Sequence, residues 1–233
     1  MSNFRTTQWS LVFAARDEGD AARAALAELC RRYREPALTY VRCRGHAPAD
    51  AEDLTQAFFV RLLERRIDVR AGPARGRFRS YLLGALKHFL AHARDADLAA
   101  KRGGGHAHVV LDDELGERIC DTAPTPERAF DRAFAFTTIE RAMQRLRAEA
   151  ERRGKVAQLA LLSEHLIEAP ESGALRALAL RLDVRANTLA VALKRWRDRL
   201  SALIRDEVAQ TVADPRTVEI EVSALRSALR SPD

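Results

Sequence analysis

Apolar residues recur along this chain with a helical period, and strict apolar–polar alternation never persists, so the sequence predicts an all-α protein. The segment SLVFAARDEGDAARAALAELCRRYREPALTYVRCRG predicts two or three helices, broken near Gly19 and by Pro36. A helix from about Ala49 to Arg66 follows, with Pro48 and Asp50 as start signals and early acids that suit the positive end of a helix dipole. IDVRAGPARGRF is a loop by its Gly72, Pro73 and Gly76, and RSYLLGALKHFLAHARDADLAAK is a helix that ends at Gly103. From Gly103 to Ala123 the pattern decays into glycines, histidines and acids, which marks the best domain boundary.

Order resumes at Thr125-Pro126-Glu127, where threonine caps and proline takes the first helical position. A long helix to about Arg153 and another from Lys155 to about Glu168 are expected, with a break at Pro170 to Gly173. A short helix through Leu175, Leu178 and Leu182 then meets a tight turn at Asp183-Val184. The next helix repeats apolar residues at Leu189, Leu193, Trp196 and Leu200. After Asp214-Pro215, Val218, Val222, Leu225 and Leu229 predict a short amphipathic helix that packs on a domain or meets a regulator. The expected organisation is a first domain over 1–102, a linker over 103–124, a second domain over 125–212 and a tail over 213–233.

Two helix faces attract attention. At about 100° per residue, Ala51, Leu54, Phe58, Phe59 and Leu62 gather on one side of the DAEDLTQAFFVRLLER helix and require a core. Asp53, Gln56, Ala57, Val60 and Glu64 fall opposite, behind Asp50 in the first turn, as a docking surface or a solvated face with one stray valine. Thr55 turns toward the apolar side, which favours a buried hydroxyl over a phosphorylation site. Beyond the turn at Asp183, the outward face presents Asn187, Thr188, Val191, Lys194 and Arg195. Amide, hydroxyl and basic groups placed after a helix and a short turn fit a DNA-reading helix-turn-helix, and also the helical hairpin of a generic bundle.

Composition narrows the class. The net charge is +6, and only Lys87, Lys101, Lys155 and Lys194 are lysines among 39 basic residues. Arginine suits bidentate phosphate recognition, while GC-rich coding bias explains the same excess, so charge makes nucleic acid plausible without deciding it. No stretch approaches the roughly 20 apolar residues of a membrane span, and no export signal is visible, so a cytoplasmic protein is expected. Cys30, Cys43 and Cys120 lack metal or disulfide spacing and are expected to be reduced and mostly buried. His88 and His92, with Asp95 nearby, have a spacing that can hold zinc, the seed of a metal-dependent nuclease reading. No HExxH glutamate accompanies them, and the expectation is no metal, no cofactor and no catalytic residue.

Six motifs in order, TQWSLVFAARD, RGHAPADAEDLTQAFFVRLLE, RGRFRSYLLGALKHFLA with KRGGG behind it, TPERAFDRAFA, the helix-turn-helix and RDEVAQTVADP, resemble a sigma-70-type RNA polymerase sigma factor. The resemblance is to the extracytoplasmic-function (ECF) subgroup, most closely to a branch common in Planctomycetes and myxobacteria. It implies two small helical domains, like sigma regions 2 and 4, and promoter-specific initiation by core RNA polymerase. The implied partners are the β′ clamp helices, the β flap and promoter DNA, with an anti-sigma factor or a regulatory kinase as a further class. Asp50, Asp53, Gln56, Ala57 and Val60 would face polymerase, with Ala57 standing where the family usually has glutamate. Arg70, Arg75, Arg77, Phe78, Arg79, Tyr81, Lys87 and His88 fall where the family captures and melts the −10 element. Phe78 is equally suited to the core; Tyr81 replaces the usual tryptophan or phenylalanine and His88 the usual asparagine. Arg185, Asn187, Thr188, Val191, Lys194 and Arg195 match the −35 reader, where Arg185 replaces a serine cap, Asp183 a turn glycine and Ala190 a residue often basic. A stand-alone helix-turn-helix regulator is the nearer alternative.

Overall fold

A computed structural model describes residues 19–64, 77–102, 125–168, 170–212 and 214–230. Those residues form helices α1 (Asp20–Cys43), α2 (Pro48–Glu64), α3 (Phe78–Arg102), α4 (Pro126–Arg152), α5 (Val156–Leu162), α6 (Ala174–Arg181), α7 (Ala186–Ala209) and α8 (Val218–Arg230). Short 3-10 turns lie at Ser163–His165 and Pro215–Thr217. The protein is all-α, and the one β-type pairing among the described residues is an isolated antiparallel bridge between Arg77 and Val212. No helix of the described residues is long and apolar enough to cross a membrane. The predicted loop over 67–78 lies outside the described residues as far as Gly76, Arg70 and Arg75 included, and its last residue, Phe78, already begins α3; the linker with His106, His108 and Cys120 also lies outside them.

Pro36 does not break the first helix: α1 runs through it without interruption. An interior proline forfeits one hydrogen bond and strains the turn, at about 3 kcal/mol. Burial of Tyr33, Ala37, Leu38, Tyr40 and Val41 on either side of it offsets that cost. At the start of α4 the capping threonine is as expected, Thr125 Oγ1 accepting from the Arg128 amide at 3.3 Å.

The chain divides into two compact units, and the division differs from the predicted one. The first contains residues 1–137 together with 209–233; the second contains 138–208. The boundary therefore falls inside α4. Phe130 and Phe134 explain the shift, because they are buried against tyrosines of α1. The Tyr33 ring stacks on Phe134 at 5.5 Å and meets Phe78 at 4.8 Å, while Tyr40 meets Phe130 edge-on at 6.4 Å. Phe58, Phe59 and Phe89 form a second aromatic group in the same unit.

The tail belongs to the first unit too. Its Val222 and Leu225 are buried, as are Thr211 and Val212 ahead of it. In the second unit, Ala142, Leu146 and Ala150 of α4 pack with Leu159, Leu162 and Leu166 and with Leu193, Trp196, Leu200 and Leu203 of α7. The four residues predicted to form the inner seam of α7 (Leu189, Leu193, Trp196 and Leu200) are all buried.

Candidate docking and nucleic-acid surfaces

The acids at the head of α2 divide into two kinds. Glu52 is structural: it receives ion pairs from Arg34 and, at 3.1 Å, from Arg42, which fasten α2 to α1. Asp50 is exposed in the first turn. Asp53, Gln56, Ala57 and Val60 are all exposed and line one groove of about 470 Å³ together with Arg61 and Phe89. Periodicity thus brought four of the predicted docking residues to one place. It did not find Phe89, which reaches the groove from α3 with the Arg61 guanidinium 6.0 Å from its ring centre. A groove with an apolar floor, an acid and an amide at its edge suits a helix that presents apolar and basic side chains. Thr55 is fully buried on the other side and donates to the Ala51 carbonyl at 2.7 Å, so a kinase finds no accessible hydroxyl there.

The predicted −10 residues that are described lie at the start of α3 and along it, and they differ in burial. Phe78 is fully buried against Tyr33, so it belongs to the core and is not available to hold an unstacked base. Arg79 is also buried, contrary to a role as an exposed cation: Nε donates to Glu221 at 2.8 Å and the guanidinium pairs with Asp131. Burial works against its charge, but the hydrogen bonds to Glu221 and Asp131 outweigh it and hold its pKa above the ordinary value. Arg77 pairs with the same Glu221 at 3.2 Å. Lys87 reaches Glu127 at 2.7 Å, a bond that raises the lysine pKa; burial works to raise that of Glu127, yet the lysine keeps it below its ordinary value.

Tyr81 is half-buried and His88 exposed. His88 and His92 share a hydrogen bond of 3.3 Å between their Nε2 atoms. Among the described residues no group of three His, Cys, Asp or Glu side chains is placed to hold a metal ion. Of the cysteines, Cys30 is half-buried, and burial raises its pKa, but Cys43 is exposed at the end of α1, against the expectation of mostly buried thiols.

The segment predicted as a helix-turn-helix is α6, a short turn and α7. Asp183 takes a left-handed backbone, φ +51°, which a short polar side chain tolerates better than most and which explains why a glycine would also fit there. The Val184 amide then closes onto the Ala179 carbonyl at 3.0 Å. Asn187, Thr188, Val191 and Arg195 line a cleft of about 370 Å³ with Arg153, Lys155 and Gln158. Lys194 and Arg185 are exposed but outside this cleft, and Lys194 pairs with Asp198 at 2.7 Å.

Sequence reasoning missed the cations of the α4–α5 turn. The run Arg152-Arg153-Gly154-Lys155 was the available signal, since a glycine turn that projects basic side chains is a common phosphate contact. Gln158 is held in place by the Trp196 indole, which donates to its Oε1 at 3.3 Å. At the cleft's far edge, Arg199 donates Nε to Glu149 at 2.7 Å and keeps that carboxyl below its ordinary pKa. The cleft combines hydrogen-bonding side chains with cations, the two kinds of group that duplex recognition draws on. The chain matches no protein-family model, no curated protein and no solved structure.

Proposed function

We propose that this protein is a sigma factor of the ECF type, acting in the cytoplasm, that docks on core RNA polymerase through α2 and reads promoter DNA through α7. The observation that carries the reading is the exposed groove of Asp53, Gln56, Ala57 and Val60 over Phe89. A solvated helix face has no need of a valine and an alanine beside an aromatic floor, and a DNA-binding surface has no use for Asp53. The partner chemistry it fits is a basic, amphipathic helix pair, such as the β′ clamp helices. The second support is the cationic cleft around Asn187, Thr188 and Arg195, suited to duplex DNA. The basic composition then serves DNA, while the acids of α2 serve a basic protein.

Under this reading no residue is catalytic. The chain supplies affinity and position, and polymerase supplies the chemistry. Of the described residues assigned to the −10 strand, Tyr81 is half-buried, Lys87 and His88 are exposed, Arg77 and Arg79 are held by Glu221, and Phe78 is in the core. The test is a footprint of the isolated protein beside one of the protein with core polymerase, on genomic promoter fragments, followed by run-off transcription. The expected result is a specific footprint and transcript only with core. A strong specific footprint from the protein alone, unchanged by core, would instead make it a stand-alone helix-turn-helix regulator.

A further inference from the structure

The tail helix sits on cations that the first unit would otherwise offer to nucleic acid. Glu221 of α8 is fully buried, and its carboxylate takes Arg79 through two bonds, at 2.8 and 3.3 Å, and Arg77 through one at 3.2 Å. A carboxylate gripped by a guanidinium fork and a second arginine offers one negative charge on two oxygens, as the non-bridging oxygens of a phosphodiester do to the same bidentate donors. The chain ahead of α8 is strapped to the same place: the Phe78 amide donates to the Thr211 carbonyl at 2.8 Å, and Val212 bridges Arg77. Of the apolar residues of α8, Val222 and Leu225 are buried, Val218 and Leu229 are half-buried and Ile220 is exposed, so Glu221 is the one fully buried side chain at its centre.

We propose that α8 is an intramolecular occupant of a phosphate site: Glu221 stands in for a DNA-strand phosphate at Arg77 and Arg79, and α8 must yield before those cations engage the melted strand. The proposal rests on the sigma-factor reading and deepens it, by making strand capture in the first unit an exchange of one anion for another. Exchange is energetically accessible where simple removal is not, since an arginine as buried as Arg79 is costly to leave without a partner. Asp131 remains beside Arg79 throughout and keeps part of that charge compensated. Arg77, more exposed, is the natural first point of attack for an incoming phosphate.

The experiment uses the full chain and a 12-nucleotide single-stranded DNA, with hydrogen exchange read on residues 218–230. Glu221→Gln preserves size and a carbonyl acceptor for Arg79 while removing the competing charge. It should bind the strand about tenfold more tightly than the native chain, with a salt slope steeper by about one to two phosphates. In the native chain, saturating DNA should strip exchange protection from α8 but not from α7. A folded Glu221→Gln chain that binds no more tightly, or a native α8 whose protection DNA leaves unchanged, overturns the proposal and makes the ion pairs plain structural ties. The native-chain measurement decides even if the variant fails to fold. Run-off transcription by the native protein with core polymerase is read separately, so loss of the latch and loss of the sigma-factor reading give different results.

Discussion

Reversal of charge in the α2 groove, by Asp53→Arg combined with Gln56→Ala, should weaken binding to core polymerase by a calculable amount. An ion at the rim of an interface contributes about 1 kcal/mol, and turning it into a like charge about doubles the loss. Arg61 lines the same groove, so the new arginine adds to an existing cation there. A lost amide hydrogen bond adds about 1 kcal/mol. The total of roughly 2–3 kcal/mol corresponds to a roughly 30- to 150-fold rise in Kd. Folding should change by no more than about 0.5 kcal/mol, since surface positions away from packed features rarely cost more. Both side chains are exposed and lie opposite the buried Ala51, Phe58 and Leu62. The assay is an anisotropy titration of labelled protein with core polymerase at two salt concentrations, beside circular dichroism of the variant. Affinity unchanged within a factor of two, in a folded variant, would refute the docking role of this face. A companion Ala57→Glu should tighten binding several-fold, because it restores an anion in the groove.

Other outcomes follow from the second unit and the turn. Arg153→Ala, Lys155→Ala and Arg195→Ala should each weaken promoter binding by the polymerase complex and lower its salt slope by about one. Lys194→Ala should do so far less, since it lies outside the cleft and is already paired with Asp198; filter binding over a salt series separates them. Glu149 titrates below its ordinary value near 4.5 when folded, so its pair with Arg199 stabilises fully above that pH and is lost as pH falls through the lower folded value. Acid unfolding of the second unit, followed by Trp196 environment, should therefore be less steep below about pH 4.5 in Glu149→Gln. At φ +51° a β-branched side chain is strained, so Asp183→Val should lower second-unit stability by about 1–2 kcal/mol in urea melts, while Asp183→Gly is tolerated.

Local features of the fold were legible because each depends on neighbours in sequence. The start of α4 at a capped Thr125-Pro126, the buried Thr55 and the seam of α7 all follow from period and capping alone. The same logic placed Asp53, Gln56, Ala57 and Val60 on one face. What periodicity does not contain is the identity of the opposing surface. It marked Val222 and Leu225 as inward-facing but left open what they face, and the answer lies in the first unit. Arg79 and Glu221 are 142 residues apart, so nothing local couples them. Pro36 failed as a helix breaker for a related reason: tertiary burial on both sides of it outweighs a local penalty. The cleft was only half visible, because Arg153 and Lys155 reach it from the α4–α5 turn rather than from α7.

The charges of the two units differ in a way that bears on order of events. In the first unit, the described cations assigned to the −10 strand are already paired, Arg77 and Arg79 with Glu221 and Lys87 with Glu127. In the second, Lys155 and Arg195 line the cleft without an ion pair among the described residues. Phosphate can therefore meet the second unit directly, at the cost only of displacing water and counterions. At Arg77 and Arg79 a phosphate would have to replace a carboxylate that is already well placed, under the proposal a nearly balanced exchange with little net driving force. On the proposed sigma-factor reading, duplex contact through α7 should accordingly come first, and engagement of the single strand should wait until strand separation and polymerase contacts raise the local concentration of competing phosphate.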